Sequence, residues 1–188
     1  MKEETPDAGV HRYPMAPLIR YGLLALYGAL VLPLPLLAPL AWRWPVWAAV
    51  LLGFLLVLAA TSEQVELGAT GLRVGHPPWC QWLLRRGWSL AWSDIQALKS
   101  VATSQGGRVF YVSTSPDAAG QRQSWLLPQR IAHFDDFLAR FSAATGLDVA
   151  GVQRLTPPWT YQLLAVFSAI MLLFEILAFL GLPNPVHP

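Results

Sequence analysis

The 188-residue chain is 54% hydrophobic and only 13% charged, a balance outside that of water-soluble domains, so much of its surface must face lipid. Thirteen Lys and Arg against eleven Asp and Glu give a formal charge of +2, too small and too scattered for a nucleic-acid-binding face or a polybasic patch. The single cysteine, Cys80, has no partner for an intrachain disulfide and no second Cys or nearby His at metal-ligand spacing. Structural zinc is therefore not expected, and nothing else in the composition calls for a cofactor.

In chain order, residues 1–17 are expected to form an N-terminal tail and 18–61 a two-helix membrane hairpin. The first span, 21–40, carries no charged side chain. A helix of that length, at about 1.5 Å per residue, crosses a hydrocarbon core of about 30 Å. Pro33, Pro35 and Pro39 fall in its far half, where each removes a backbone donor, so a kink or irregular exit is expected. A cleaved signal peptide is the competing reading. It is disfavoured by the length, by proline where small residues are wanted and by the second apolar run that follows at once. The connection 41–45 sets Arg43 between Trp42 and Trp44, a composition suited to an interfacial turn. The second span, 46–60, is long enough only if Trp44 and Thr61 are included at its ends.

Between 62 and 155 the period of the pattern changes from helical to two. Val65 and Leu67 alternate with Gln64 and Glu66, Leu72 and Val74 flank Arg73, and Trp88, Leu90 and Trp92 alternate with small residues, which predicts strands. Further strands are expected at 108–113 and 123–127, with turns at 68–71, 106–107 and 117–120, where glycine clusters. One helix closes the domain: Ile131, Phe134, Leu138 and Phe141 share a face, and Gly146 stands where a helix ends. The third span is expected over 158–183 and contains Glu175. Thirteen Leu, Ile, Phe or Val residues lie between 163 and 182. Each favours insertion by roughly 0.3–0.6 kcal/mol, which together outweighs about 3 kcal/mol for one carboxylate.

Orientation follows from the cations. Lys2, Arg12 and Arg20 precede the first span, and Arg73, Arg85, Arg86 and Lys99 follow the second. The hairpin connection has only Arg43 and the residues after 182 have none. The middle domain is accordingly expected on the cytoplasmic side, with a short tail, 184–188, on the other. The fold class expected is a membrane protein of α+β type.

The order Val65-Glu-Leu67, Gly71-Leu-Arg-Val74, Trp92-Ser-Asp-Ile95, a Gly-Gly hairpin, Leu126-Leu-Pro128 and a helix starting near 133 resembles a pleckstrin-homology-like fold, in which one amphipathic helix closes an open barrel of short antiparallel strands. The resemblance covers about half the chain and extends to bacterial membrane-anchored proteins with a helical hairpin before such a domain. Residues 87–99, with Thr103-Ser-Gln-Gly-Gly107 and Tyr111, are more narrowly similar to uncharacterised integral membrane proteins of cyanobacteria. That similarity implies a thylakoid or plasma-membrane setting and no established activity. The layout is also similar to a photosystem I assembly factor with two spans followed by a soluble domain, from which the third span departs.

Two sites stand out. The stretch from His76 to Trp88 sets Trp79, Trp82, Leu83 and Leu84 beside Arg85 and Arg86, a composition for resting in the headgroup layer with the guanidinium groups near lipid phosphates. The alternative is that these indoles pack in the domain core and the arginines are merely solvated. Trp42, Trp44 and Trp159 stand at the ends of spans as further interface residues. Glu175, the one ionisable group deep in a span, is expected to be protonated or to meet a hydrogen-bond donor or cation on another helix or on a partner protein. Its readings are a proton relay, a pigment ligand or a partner-selecting contact, or else a neutral carboxyl that bonds between helices or snorkels toward the interface. A proton relay would need further titratable groups along the path, and the other spans offer none.

His133, Asp135 and Asp136 do not converge at helical spacing, and acids in a first turn suit the helix dipole. Ser93-Asp94 has no positioned His, and there is no nucleophile elbow, phosphate-binding glycine loop or Cys-x-x-Cys pair. Residues 63–154 hold nine Lys or Arg against seven Asp or Glu, so a strong inositol-phosphate pocket is not indicated. The expected function is non-enzymatic: an accessory subunit or assembly factor that binds integral membrane proteins of a photosystem or related complex. The alternative is a lipid-interacting protein acting through the Trp/Arg-rich stretch.

Overall fold

The computed structural model describes residues 9–84, 87–102, 108–116, 122–149, 152 and 158–181. In chain order the elements are β1 (His11–Pro14), α1 (Pro17–Val31), α2 (Pro33–Leu37), α3 (Arg43–Ala60), β2 (Gln64–Leu67), β3 (Gly71–Gly75), β4 (Trp88–Ala91), β5 (Ile95–Ala102), β6 (Arg108–Thr114), β7 (Ser124–Leu126), α4 (Phe134–Thr145) and α5 (Pro158–Gly181). They form two compact units, Met1–Ala16 with Ser62–Thr156, and Pro17–Thr61 with Pro157–Pro188.

In the first unit, β1-β2-β3-β4 make a four-stranded sheet and β5-β6-β7 a three-stranded sheet, all pairs antiparallel. The period of two is realised as burial: Val65 and Leu67 of β2 face Val74 and Leu72 of β3 across the ladder and all four are buried, while Arg73 between them is exposed. Gly71 opens β3 because a Cβ there would collide with the Leu90 carbonyl oxygen of β4. Phe134, Phe137, Leu138 and Phe141 of α4 turn into the core, with Phe137 stacked between Phe134 and Phe141 at centroid distances of 6.1 and 5.9 Å. The helix ends as expected at Gly146, whose φ of 70° lets its N–H reach the Ser142 carbonyl at 2.7 Å.

Four expectations change in the first unit. Within 1–17, expected as a tail, His11–Pro14 is an edge strand whose Tyr13 belongs to the core. Trp92 leaves the β4 ladder for a 3-10 turn, Trp92–Asp94, because its indole is drawn against Phe141 at 6.1 Å and its N–H donates to the Gly68 carbonyl at 3.0 Å. Strand β5 was not among the expected strands; a register shift between Ile95 and Ala97 blurs its alternation. Ile131 sits before α4 rather than on it, bridged to Met15, yet is still buried. The turns expected at 106–107 and 117–120 lie outside the described residues.

In the second unit three helical segments, Pro17–Leu37, Leu40–Ala60 and Trp159–Gly181, are long and apolar enough to cross a membrane. At about 1.5 Å per residue they reach roughly 31–35 Å. This is the architecture of a multi-pass membrane protein. The expected proline irregularity is a one-residue interruption: α1 stops at Val31, Leu32 keeps right-handed helical dihedrals with its N–H on the Gly28 carbonyl, and α2 resumes at Pro33. The connection expected at 41–45 is not a loop. A 3-10 turn, Leu40–Trp42, runs straight into α3, where Pro45 is tolerated because a first-turn N–H has no intrahelical acceptor. Helices α1 and α3 are joined by Tyr27, whose hydroxyl donates to the Val50 carbonyl at 2.7 Å over the flat surface of Gly53. Helix α1 also packs along α5, where fully buried Ser168 satisfies its hydroxyl on its own Leu164 carbonyl at 2.8 Å.

Candidate functional site

The Trp-rich stretch is a built surface. Residues Pro77 to Leu84 turn twice: the N–H groups of Cys80 and Gln81 both donate to the Pro77 carbonyl at 3.1 Å, and those of Leu83 and Leu84 to the Cys80 carbonyl at 3.1 and 3.2 Å. Cys80 is the pivot. Its side chain is 1% exposed, and burial pushes its thiol above the ordinary cysteine range. With Cys80 facing in, Trp79 and Trp82 face out at 51% and 80% exposure, joined by Leu83. The Trp82 indole N–H donates to the Trp79 carbonyl at 3.0 Å, which fixes the ring on the surface.

This geometry separates the aromatic residues that the sequence groups together. Trp79 and Trp82 are outside the core, whereas Trp88 packs against it, stacked on Trp125 at 5.8 Å. Arg85 and Arg86 lie outside the described residues. In the second unit, Trp42 and Trp44 at the start of α3 and Trp159 at the start of α5 are all exposed. Trp44 also lines an apolar groove of about 760 Å³ with Leu24, Tyr27, Leu51, Phe54 and Leu172.

Glu175 lies on a particular face of α5. The positions of that helix that are not fully exposed are Tyr161, Leu164, Ala165, Ser168, Leu172 and Glu175, a single stripe at helical spacing. Leu172 on this stripe lies against Gly28 of α1, so Glu175 belongs to the α1-facing stripe and not to the outward apolar surface.

The acids of α4 serve the fold. Tyr13 donates to Asp136 Oδ2 at 2.6 Å, and Arg140 Nε donates to the same oxygen at 3.0 Å while its Nη1 lies 3.1 Å from His11 Nε2. Burial, then the hydrogen bond to Asp136, pushes the Tyr13 hydroxyl up to about 12; the Tyr13 and Arg140 hydrogen bonds hold Asp136 below the usual carboxylate range. Strand β1 is thereby tied to α4. Sequence reasoning missed this network; the alternation of His11, Tyr13 and Met15 with Arg12 and Pro14 is the signal that could have found it. Among the described residues, Ser93 bonds the adjacent Asp94 at 3.2 Å, and no three His, Cys, Asp or Glu side chains gather as a metal would need.

No family model matches the chain. Over 164 residues, 85% of this chain and 80% of the other, it is 37% identical to slr0269 of Synechocystis sp. (strain ATCC 27184 / PCC 6803 / Kazusa), a protein described as uncharacterized. The chain belongs to the slr0269 family. Coverage of that extent takes in residues of both units. The similarity to cyanobacterial proteins expected from 87–99 thus extends over most of the sequence.

Proposed function

We propose that this slr0269-family chain is a non-enzymatic membrane accessory subunit or assembly factor that binds other integral membrane proteins. The observation that carries the reading is the exposed Trp79, Trp82 and Leu83 surface, held rigid on its hydrogen-bonded turn. Contiguous exposed aromatic residues of this kind are the composition of interface centres. A photosynthetic complex in a thylakoid or plasma membrane is the partner class suggested by the cyanobacterial relative. The first unit reads as pleckstrin-homology-like: four strands, then three, then one helix whose phenylalanines fill the core. Because β1 and β2 flank the hairpin and pair with each other, the chain enters and leaves the hairpin on one side of the bilayer. The cations Arg12, Arg20, Arg73 and Lys99 support a cytoplasmic placement of that side.

Affinity purification after gentle detergent extraction tests this. The wild type should carry a defined membrane-protein partner, and Trp79→Ser with Trp82→Ser should lose it; recovery of a lone wild-type chain refutes the reading. The second reading, attachment of the same surface to the lipid headgroup layer, is favoured by the pairing of indoles with Leu83 ahead of Arg85 and Arg86. Under it, Arg85→Glu with Arg86→Glu should strip co-purifying anionic lipid while leaving protein partners unchanged.

A further inference from the structure

The prolines that break the first span leave a debt in the backbone. Pro33 has no N–H for the Ala29 carbonyl and Pro35 none for the Val31 carbonyl, four residues earlier in each case. In water such carbonyls are solvated; in hydrocarbon each needs a donor. The last regular bond of α1 is from Leu32 N–H to the Gly28 carbonyl at 2.9 Å. On the α5 side of α1 the side-chain hydroxyls are already committed, Tyr27 to Val50 and Ser168 to Leu164, while the indoles of Trp44 and Trp47 stand on the α3 side.

Helix α5 offers one more polar side chain on the correct stripe. Leu172 lies against Gly28, and the less exposed positions of α5 run from Tyr161 to Glu175 while 176–181 are all exposed, which fits α5 lying along α1 in the same direction. Three residues beyond Leu172 on α5 is Glu175; three beyond Gly28 on α1 is Val31. Helical side chains lean toward the N-terminus, so the carboxyl of Glu175 reaches back to the level of Ala29 and Val31. Ala29 is 2% exposed and shielded from any outside donor.

We propose that Glu175 is an internal cap, a carboxylic acid that donates its O–H to a carbonyl of α1 freed by Pro33 or Pro35, and so locks α5 against the broken span. The inference rests on the three helices lying in lipid and is independent of which partner the first unit binds. A charged carboxylate in that setting costs several kcal/mol, whereas the acid form supplies the missing donor.

The test uses the purified full chain in lipid nanodiscs. Glu175→Leu should lower the melting temperature by about 2–4 °C, the reading expected for one interhelical hydrogen bond in a chain of this size, while Glu175→Gln, which keeps a donor, should stay within about 1 °C. In a Pro33→Ala, Pro35→Ala background the effect of Glu175→Leu should vanish. Infrared difference spectra of wild type against Glu175→Gln should show a carboxylic-acid C=O band, which keeps the proposal testable if Glu175→Leu does not fold. A carboxylate band instead, no loss in Glu175→Leu, or an equal loss with and without the prolines would overturn it.

Discussion

Removing one oxygen from Tyr13 should loosen the first unit by a predictable amount. In Tyr13→Phe the ring keeps its edge contact with Phe137 at 5.5 Å, but the 2.6 Å hydrogen bond to Asp136 is lost. A hydrogen bond to a charged acceptor contributes about 1.5–3 kcal/mol net. Asp136 is half exposed, with 52% of its side-chain surface accessible, so solvent screening places the loss near the lower end, about 1.5 kcal/mol. For a unit of this size that is a fall of about 6–12 °C in melting temperature. The pH dependence gives a second check. The hydroxyl ionises at 10.0 when unfolded and at about 12 in the fold, so its contribution is fully present below pH 10 and is lost as pH rises toward 12. The difference between wild type and Tyr13→Phe, followed by tryptophan fluorescence of the full chain in detergent, should be full at pH 8 and shrink between pH 10 and 12. Equal melting at pH 8, or a difference that survives at pH 12, would refute the reasoning.

Other perturbations probe separate features. Gly53→Ala places a Cβ against the Tyr27 hydroxyl and should break its bond to Val50, costing about 1–2 kcal/mol in denaturant unfolding, with partial rescue by adding Tyr27→Phe. His133 precedes α4 in the left-handed region at φ 52°, so His133→Gly should be stabilising by up to about 1 kcal/mol in the same melts; destabilisation would count against backbone strain there. Cys80 should resist maleimide labelling at neutral pH in the native state and react fully once unfolded, as its burial and raised thiol demand. As pH falls below about 4, protonation of Asp136 through its lowered range should withdraw the stability it contributes, and Asp136→Asn should flatten that acid limb.

Much of the architecture is local and therefore legible in the residues. The spans announce themselves by length and lack of charge, Gly146 by its place after a phenylalanine-rich helix, and β2 and β3 by strict alternation about a glycine turn. Strand β1 escapes because four residues ending in Pro14 carry little pattern and their partner, Gln64 to Leu67, lies some fifty residues away across the hairpin. Strand β5 escapes because its irregular register breaks the alternation. The Trp79 to Trp88 stretch is ambiguous for a different reason: one indole looks like another in sequence, and only the inward turn of Cys80 and the stacking of Trp88 on Trp125 decide which rings are covered. Glu175 is conspicuous as a carboxylate in an apolar run, but the face it occupies follows from how α5 packs on α1.

The placement of β1 ahead of the hairpin ties completion of the first unit's sheet to the return of the hairpin. Strand β1 is synthesised before any helix enters the membrane and waits unpaired until β2 emerges after the second crossing. If the hairpin fails to return, the two strands end on opposite faces of the bilayer, Tyr13 has no core to enter and the unit stays open. Chains whose hairpin fails to return would therefore display an unfinished sheet, while chains whose hairpin closes conceal it.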